Sequence, residues 1–253
     1  MFRPRVIPCL LLKNLGLVKS VKFKDYTYVG DPMNAVKIFN DKNADELIFL
    51  DITASTEKKT IDIELVQRIG DECNMPFAVG GGIRSIESIR KILNAGAEKV
   101  CLNSYAVENP DFIRQAAEEF GTSTIVVSID VKKKLFSKEQ AYIYGGTKAT
   151  GIDPVELAVL MAEKGAGEIL INSVERDGMM EGYDINLVRR ISDAVNVPVV
   201  ALGGASSLND FKEAVEKGNA SAVAAGSMFV FHGPRRAVLI NFPTQSELLQ
   251  LFN

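Results

Sequence analysis

The chain has no tryptophan, and His232 is its only histidine. That excludes triads built on a histidine base and metal centres that need several imidazoles. Placed after the aromatic run Phe229-Val230-Phe231, His232 reads as structural rather than catalytic. Cysteine is scarce: Cys9, Cys73 and Cys101 show neither paired nor CxxC spacing, so no disulfide framework or zinc ribbon is indicated. Cys9 and Cys101 fall in apolar, strand-like runs, and reduced, buried thiols in a cytoplasmic protein are expected. No apolar run approaches the roughly 20 residues of a membrane span. Residues 1–5 are not followed by the apolar core of a signal peptide, so no membrane partner is expected. A net charge of −3 gives no electrostatic reason to expect nucleic acid. No cofactor or metal motif stands out. No linker or low-complexity stretch divides the chain, so a single domain over residues 1–253 is expected.

Apolar residues, by contrast, make up 47% of the chain, enough for a large core. They fall in short runs at 5–12, 47–52, 76–81, 99–103, 124–131, 168–172, 198–202 and 220–226. With little polar alternation, these read as strands covered on both faces. Amphipathic patterns lie between and after them, at 31–42, 60–74, 86–94, 110–120, 154–164, 186–194, 208–217 and 245–252. Pro110 and Pro154 suit first-turn positions, where a missing N–H costs little. The chain also repeats itself. A shift of 122 positions lays Pro76 on Pro198, Gly81 on Gly203, Gly82 on Gly204, Gly96 on Gly218 and Ser104 on Gly226 without a gap. Eight strand–helix pairs with two-fold internal symmetry predict an α/β fold, a single (β/α)8 TIM barrel made of two half-barrels.

In such a barrel the chemistry sits at the C-terminal ends of the strands. Asp130, ending the apolar run 125–129, is the candidate for proton transfer, because burial in a barrel mouth can raise a carboxyl pKa toward neutrality. The alternative is a structural carboxylate that caps a turn or pairs with Lys132 or Lys19. Each copy of the repeat is strand, Gly-rich turn, helix, strand and small-residue turn, a pattern that can aim backbone N–H groups at an anion. Gly81, Gly82, Asn103 and Ser104 would form one phosphate corner. Asp177, Gly178, Gly203, Gly204, Gly226 and Ser227 would surround a second, and a phosphorylated, bisphosphate-like small molecule is the expected ligand. At the other end of the barrel, Arg5, Glu46, Lys99 and Glu168 lie at or just before strand starts. They would bring four charges around the axis, as a stabilising ion network at the least.

Several of these segments carry a resemblance. Ile7-Pro8-Cys9-Leu10, Asp45-Glu46-Leu47 with Phe49-Leu50-Asp51-Ile52-Thr53-Ala54-Ser55, Val79-Gly80-Gly81-Gly82-Ile83, Ala106-Val107-Glu108-Asn109-Pro110 and Arg176-Asp177-Gly178 are similar to the cyclase subunit of imidazole glycerol phosphate synthase, the HisF family. The likeness runs in matching order over nearly the whole chain. It implies a barrel that takes ammonia from a HisH-like glutaminase subunit docked on its N-terminal face, then cleaves and cyclises a bisphosphorylated ribotide. It implies that Arg5, Glu46, Lys99 and Glu168 form an ammonia gate, and that Lys19 belongs to a mobile loop over the active site.

One departure outweighs the matches. The family pairs the aspartate ending strand five with another ending strand one, one acting as general acid and the other as general base. Asp130 keeps the first place, and Leu11 stands at the second. Losing a positioned acid or base typically removes about 10²- to 10⁴-fold of rate, so poor activity in the histidine-pathway reaction is expected. A second departure is Leu202, where the family has a small polar residue beside the second phosphate. The opening Ile7-Pro8-Cys9-Leu10-Leu11-Leu12-Lys13, together with Phe229-Val230-Phe231-His232-Gly233, resembles a paralogous branch associated with surface-polysaccharide genes. There the barrel is thought to serve a glutaminase and a separate sugar amidotransferase that converts an acetamido into an acetamidino group. The resulting expectation is an ammonia-channelling subunit for amidination of a nucleotide sugar. The alternatives are a true cyclase, a scaffold that only activates the glutaminase and, more weakly, a phosphate-sugar isomerase.

Overall fold

The computed structural model describes residues 3–133, 138–233 and 235–253; residues 1 and 2, the first of the stretch 1–5 expected to precede no signal-peptide core, lie outside the described residues. Barrel strands 1 (Arg5–Lys13), 2 (Leu47–Asp51), 3 (Phe77–Gly80), 4 (Lys99–Leu102), 5 (Ile125–Lys133), 6 (Glu168–Ser173), 7 (Val199–Leu202) and 8 (Ala222–Ala225) are all parallel to their barrel neighbours. Each pairs with the next, and strand 8 returns to strand 1 with Arg5 opposite Ala222 and Pro8 opposite Ala225. The sheet is therefore a closed (β/α)8 barrel, as the alternation of runs predicts.

Most of the outer helices form where a polar residue precedes an amphipathic segment. Asp31, Asp62, Asp153 and Asp184 accept backbone N–H groups at the starts of the helices Pro32–Asp41, Ile63–Glu72, Pro154–Glu163 and Ile185–Ser192. Such caps contribute about 1 kcal/mol each. The cap at Asp62 makes the second helix start later than residue 60. Pro154 occupies the first turn, whereas Pro110 sits one residue before its helix, Asp111–Phe120. Packing divides into two layers. The outer core lies between strands and helices and includes Phe39, Phe49, Phe211 and Phe229; the inner one, with Ile7, Ile48, Ala78, Val126, Leu170 and Ala222, fills the barrel itself.

The structure adds elements that the pattern of runs does not announce. Strand 1 continues into an antiparallel hairpin, Gly16–Val21 with Lys24–Gly30, and strand 5 into another, Glu139–Ile143 with Lys148–Ala149. Short helices Ser104–Glu108 and Ser227–Val230 follow strands 4 and 8. Among the described residues no helix is long and apolar enough to cross a membrane.

Candidate active site

At the C-terminal mouth a cavity of about 130 Å³ receives Asp130, Lys19, Asn103, Ser104, Asn172 and Asp177. Asp130 is buried and accepts from the side-chain amides of Asn103 at 3.3 Å and Asn172 at 3.5 Å. No ion pair joins it to Lys132 or Lys19, so neither lysine pairing weighed above is formed; the carboxyl is held by two neutral amides. The Oδ1 of Asn172 is buried without a hydrogen-bond partner and lies 2.4 Å from where a Cβ on Gly203 would stand.

Burial pushes the Asp130 pKa up to about 7; the charge of Asp177 adds to the rise, and the hydrogen bond from Asn172 opposes it. The folded-state value thus lies above the unfolded one, about 4. Below pH ~4 the group is neutral in both states, and stability falls as pH climbs through the window from ~4 to ~7. Asp130→Asn should therefore change stability little at pH 4 and raise it on the order of 2 to 4 kcal/mol at pH 8. Denaturant titrations of both proteins at the two pH values check this, and equal differences at both would contradict it.

Lys19 lies in the inner strand of the first hairpin, a paired element rather than an open loop. Its buried ammonium donates to the Cys9 carbonyl at 2.6 Å, and a side chain on Gly226 would meet it at 2.2 Å. Burial lowers the Lys19 pKa, with Cys9 and Asp177 opposing the fall. Asp177 is raised by burial, opposed by Lys19 and by the Ser20 hydroxyl, which donates to it at 3.0 Å. The same hairpin is pinned by the Lys22 N–H to the Asp177 carbonyl at 2.9 Å, and its Phe23 and Tyr26 line the mouth. Two carboxyls and one ammonium, all with burial-shifted pKa values, therefore share one cavity.

Both glycine corners are assembled. Gly81, Gly82, Asn103 and Ser104 line the main cavity. Gly82 has φ +62, and a Cβ there would lie 1.8 Å from the Lys59 carbonyl, so packing of the neighbouring loop demands glycine as much as any anion does. Asp177, Gly178, Gly203, Gly204, Gly226 and Ser227 border an adjoining cavity of about 20 Å³. Leu202 lines both spaces, as do Asp177, Gly226 and Ser227. Leu11, half-buried, lines the main cavity and packs on the inner core with Leu50. The mouth therefore contains the carboxylates of Asp51, which ends strand 2, of Asp130 in strand 5 and of Asp177, with the alkyl side chain of Leu11 near the end of strand 1.

At the opposite end Arg5 pairs with Glu46 and Glu168, and Lys99 Nζ lies 3.0 Å from Glu46 Oε1 and 3.0 Å from Glu168 Oε2. The charges alternate in sign around a closed ring in which both glutamates are buried. Burial lowers the Arg5 pKa, yet Glu168 and Glu46 outweigh it, and the net shift is upward. The interior between ring and mouth is walled by Ile7, Cys9, Ala78, Cys101, Ala222 and Ala224. Burial holds the Cys9 thiol up at about 12 and raises Cys101 as well, so both act as apolar wall.

The histidine-biosynthesis protein family matches residues 5–234. The chain belongs to this family and is HisF-like over its length. It is 47% identical over 253 residues to the putative imidazole glycerol phosphate synthase subunit HisF of Leptospira interrogans, covering 100% of both chains. It is 48% identical over 248 residues to the putative subunit hisF2 of Pseudomonas aeruginosa, covering 98% of this chain and 99% of the other. With the imidazole glycerol phosphate synthase subunit HisF of Alkaliphilus metalliredigens the identity is 44% over 232 residues, 92% of each chain.

Within this HisF-like barrel, several mouth residues escape a reading of motifs: Ser20, Phe23 and Tyr26 from the first hairpin, Ser128 from strand 5 and Arg84 after the first glycine turn. Arg84 follows Gly80-Gly81-Gly82-Ile83 directly, which is the one signal that could have marked it. Among the described residues no group of three or more His, Cys, Asp or Glu side chains is placed to hold a metal ion.

Proposed function

We propose that the chain is the ammonia-conducting barrel subunit of a glutamine-dependent complex in which ring closure has been given up. The observation that carries this reading is the content of the mouth: Asp130 is present, and Leu11 fills the place of its partner acid. Imidazole formation needs proton transfers on both sides of the reacting atoms, and an alkyl group performs neither. The ring of Arg5, Glu46, Lys99 and Glu168 supports docking of a glutaminase on the N-terminal face and admission of its ammonia there. The small inner side chains Ala78, Ala222 and Ala224 favour a path up the barrel. A separate sugar amidotransferase would receive the ammonia and amidinate a nucleotide sugar for surface polysaccharide, with a phosphorylated small molecule held in the glycine corners. All of this would take place in the cytoplasm.

A retained cyclase is the second reading, favoured by the Asp130 pKa of about 7, which suits a general acid or base at neutral pH. Expression in a strain that lacks the histidine-pathway cyclase separates the two. The proposal expects no growth without histidine; growth at the rate given by a true cyclase would overturn it.

A further inference from the structure

The first glycine corner carries a charge that the repeat does not copy. The shift of 122 positions that pairs Gly82 with Gly204 also pairs Arg84 with Ser206. The Ser206 hydroxyl and N–H both donate to Asp210, at 2.8 Å each. Arg84 instead lines the mouth cavity together with Gly82, Asn103 and Ser104. Its guanidinium carbon lies 5.5 Å from the centre of the Tyr105 ring and 5.9 Å from that of Tyr144. One of its nitrogens donates to the Tyr144 hydroxyl at 3.0 Å and stands 3.5 Å from Glu108. The Tyr144 hydroxyl also donates to Glu108, and the Tyr144 N–H donates to Ser104 Oγ at 3.0 Å. The hairpin after strand 5 thus holds both Arg84 and the Ser104 hydroxyl.

We propose that Arg84 is the cationic ligand of the phosphate bound at the first corner, and that it leaves Glu108 to make that contact. This deepens the function proposed above and rests on its reading of the corner as a phosphate site. A planar guanidinium matches two phosphate oxygens at once, and flanking aromatic rings keep it oriented before the ligand arrives. Ser104 accepts from Tyr144, so its own proton, now aimed at Asn103 Oδ1 at 3.2 Å, is free to turn to the phosphate. Glu108 holds the cation in the ligand-free site and competes with the phosphate for it. The second corner, bordered by the Asp177 carboxyl, has a serine at the matching place. The two ends of a bisphosphate are therefore told apart, with the more highly charged group seated beside Arg84.

Calorimetric titration of inorganic phosphate into the full chain tests this, using wild type, Arg84→Ala, Arg84→Lys and Glu108→Gln. Arg84→Ala should weaken the tighter phosphate site by about tenfold or more, with Arg84→Lys in between. Glu108→Gln should tighten the site severalfold, an effect opposite in sign to that of merely loosening the cluster. If Arg84→Ala does not fold, Glu108→Gln decides alone. Wild-type affinity in both Arg84→Ala and Glu108→Gln overturns the role of Arg84 while leaving the corner a phosphate site. Absence of phosphate binding by wild type overturns both the proposal and the reading beneath it.

Discussion

Leu11→Asp is expected to convert the chain into a working cyclase, with ammonia-dependent turnover of the bisphosphorylated ribotide rising about 10²- to 10⁴-fold. The environment admits the change. Leu11 is half-buried at the open end of strand 1 and lines the same cavity as Asp130, so a carboxylate there reaches water and substrate. The backbone is fixed on both sides, with Leu11 opposite Leu50 in strand 2 and opposite Val18 in the hairpin, so the new side chain has little room to swing away from the mouth. The gain must depend on both acids. Leu11→Asp combined with Asp130→Asn should fall back to the wild-type rate, and steady-state kinetics of the four proteins reads this directly. If Leu11→Asp stays silent although it folds and binds phosphate, the pocket has lost more than one acid.

The second large effect belongs to the charged ring. Lys99→Met leaves Glu46 and Glu168 buried with Arg5 as the remaining cation of the ring. Removing one partner from a buried ion network typically costs about 3 to 5 kcal/mol, because an uncompensated charge stays behind. Lys99 is 20% exposed, so a loss of about 3 kcal/mol is expected from denaturant titration. Replacing all four members by apolar residues of similar size should recover most of that stability, since the desolvation penalty disappears with the charges. If the ring admits ammonia, the two properties separate: the apolar variant stays folded and loses glutaminase-coupled delivery while still accepting free ammonia. A Lys99→Met variant as stable as wild type would show that water compensates the glutamates, contrary to their burial.

The barrel is legible in the sequence because each strand is a continuous apolar run bounded by turn residues and capped helices, and because the 122-residue shift aligns both halves. The ring is legible for the same reason: parallel strands in register bring residues at strand starts to one end, as Arg5, Lys99 and Glu168 show. The hairpin that buries Lys19 is not. Its two turns place Asn14 and Leu15, then Lys22 and Phe23, at φ between +51° and +64°, conformations usually signalled by Asn-Gly or Asp-Gly. Only Asn14 gives a hint, and the contacts with Asp177 and Gly226 that hold the hairpin down are remote in sequence. Arg84 is hidden differently. A charged residue between a glycine turn and a capping serine looks like ordinary surface, and only the folded hairpin brings Tyr144 to its side.

The separation of ammonia supply from ring closure is tested most directly by one assay: purified wild-type chain, a synthase-type glutaminase that binds it, glutamine and the bisphosphorylated ribotide, with glutamate and imidazole product followed together. Stimulated glutamate release without imidazole product is the result this account predicts. Imidazole product formed in step with glutamate would contradict it, since Asp130 would then be sufficient without a second acid at the position of Leu11.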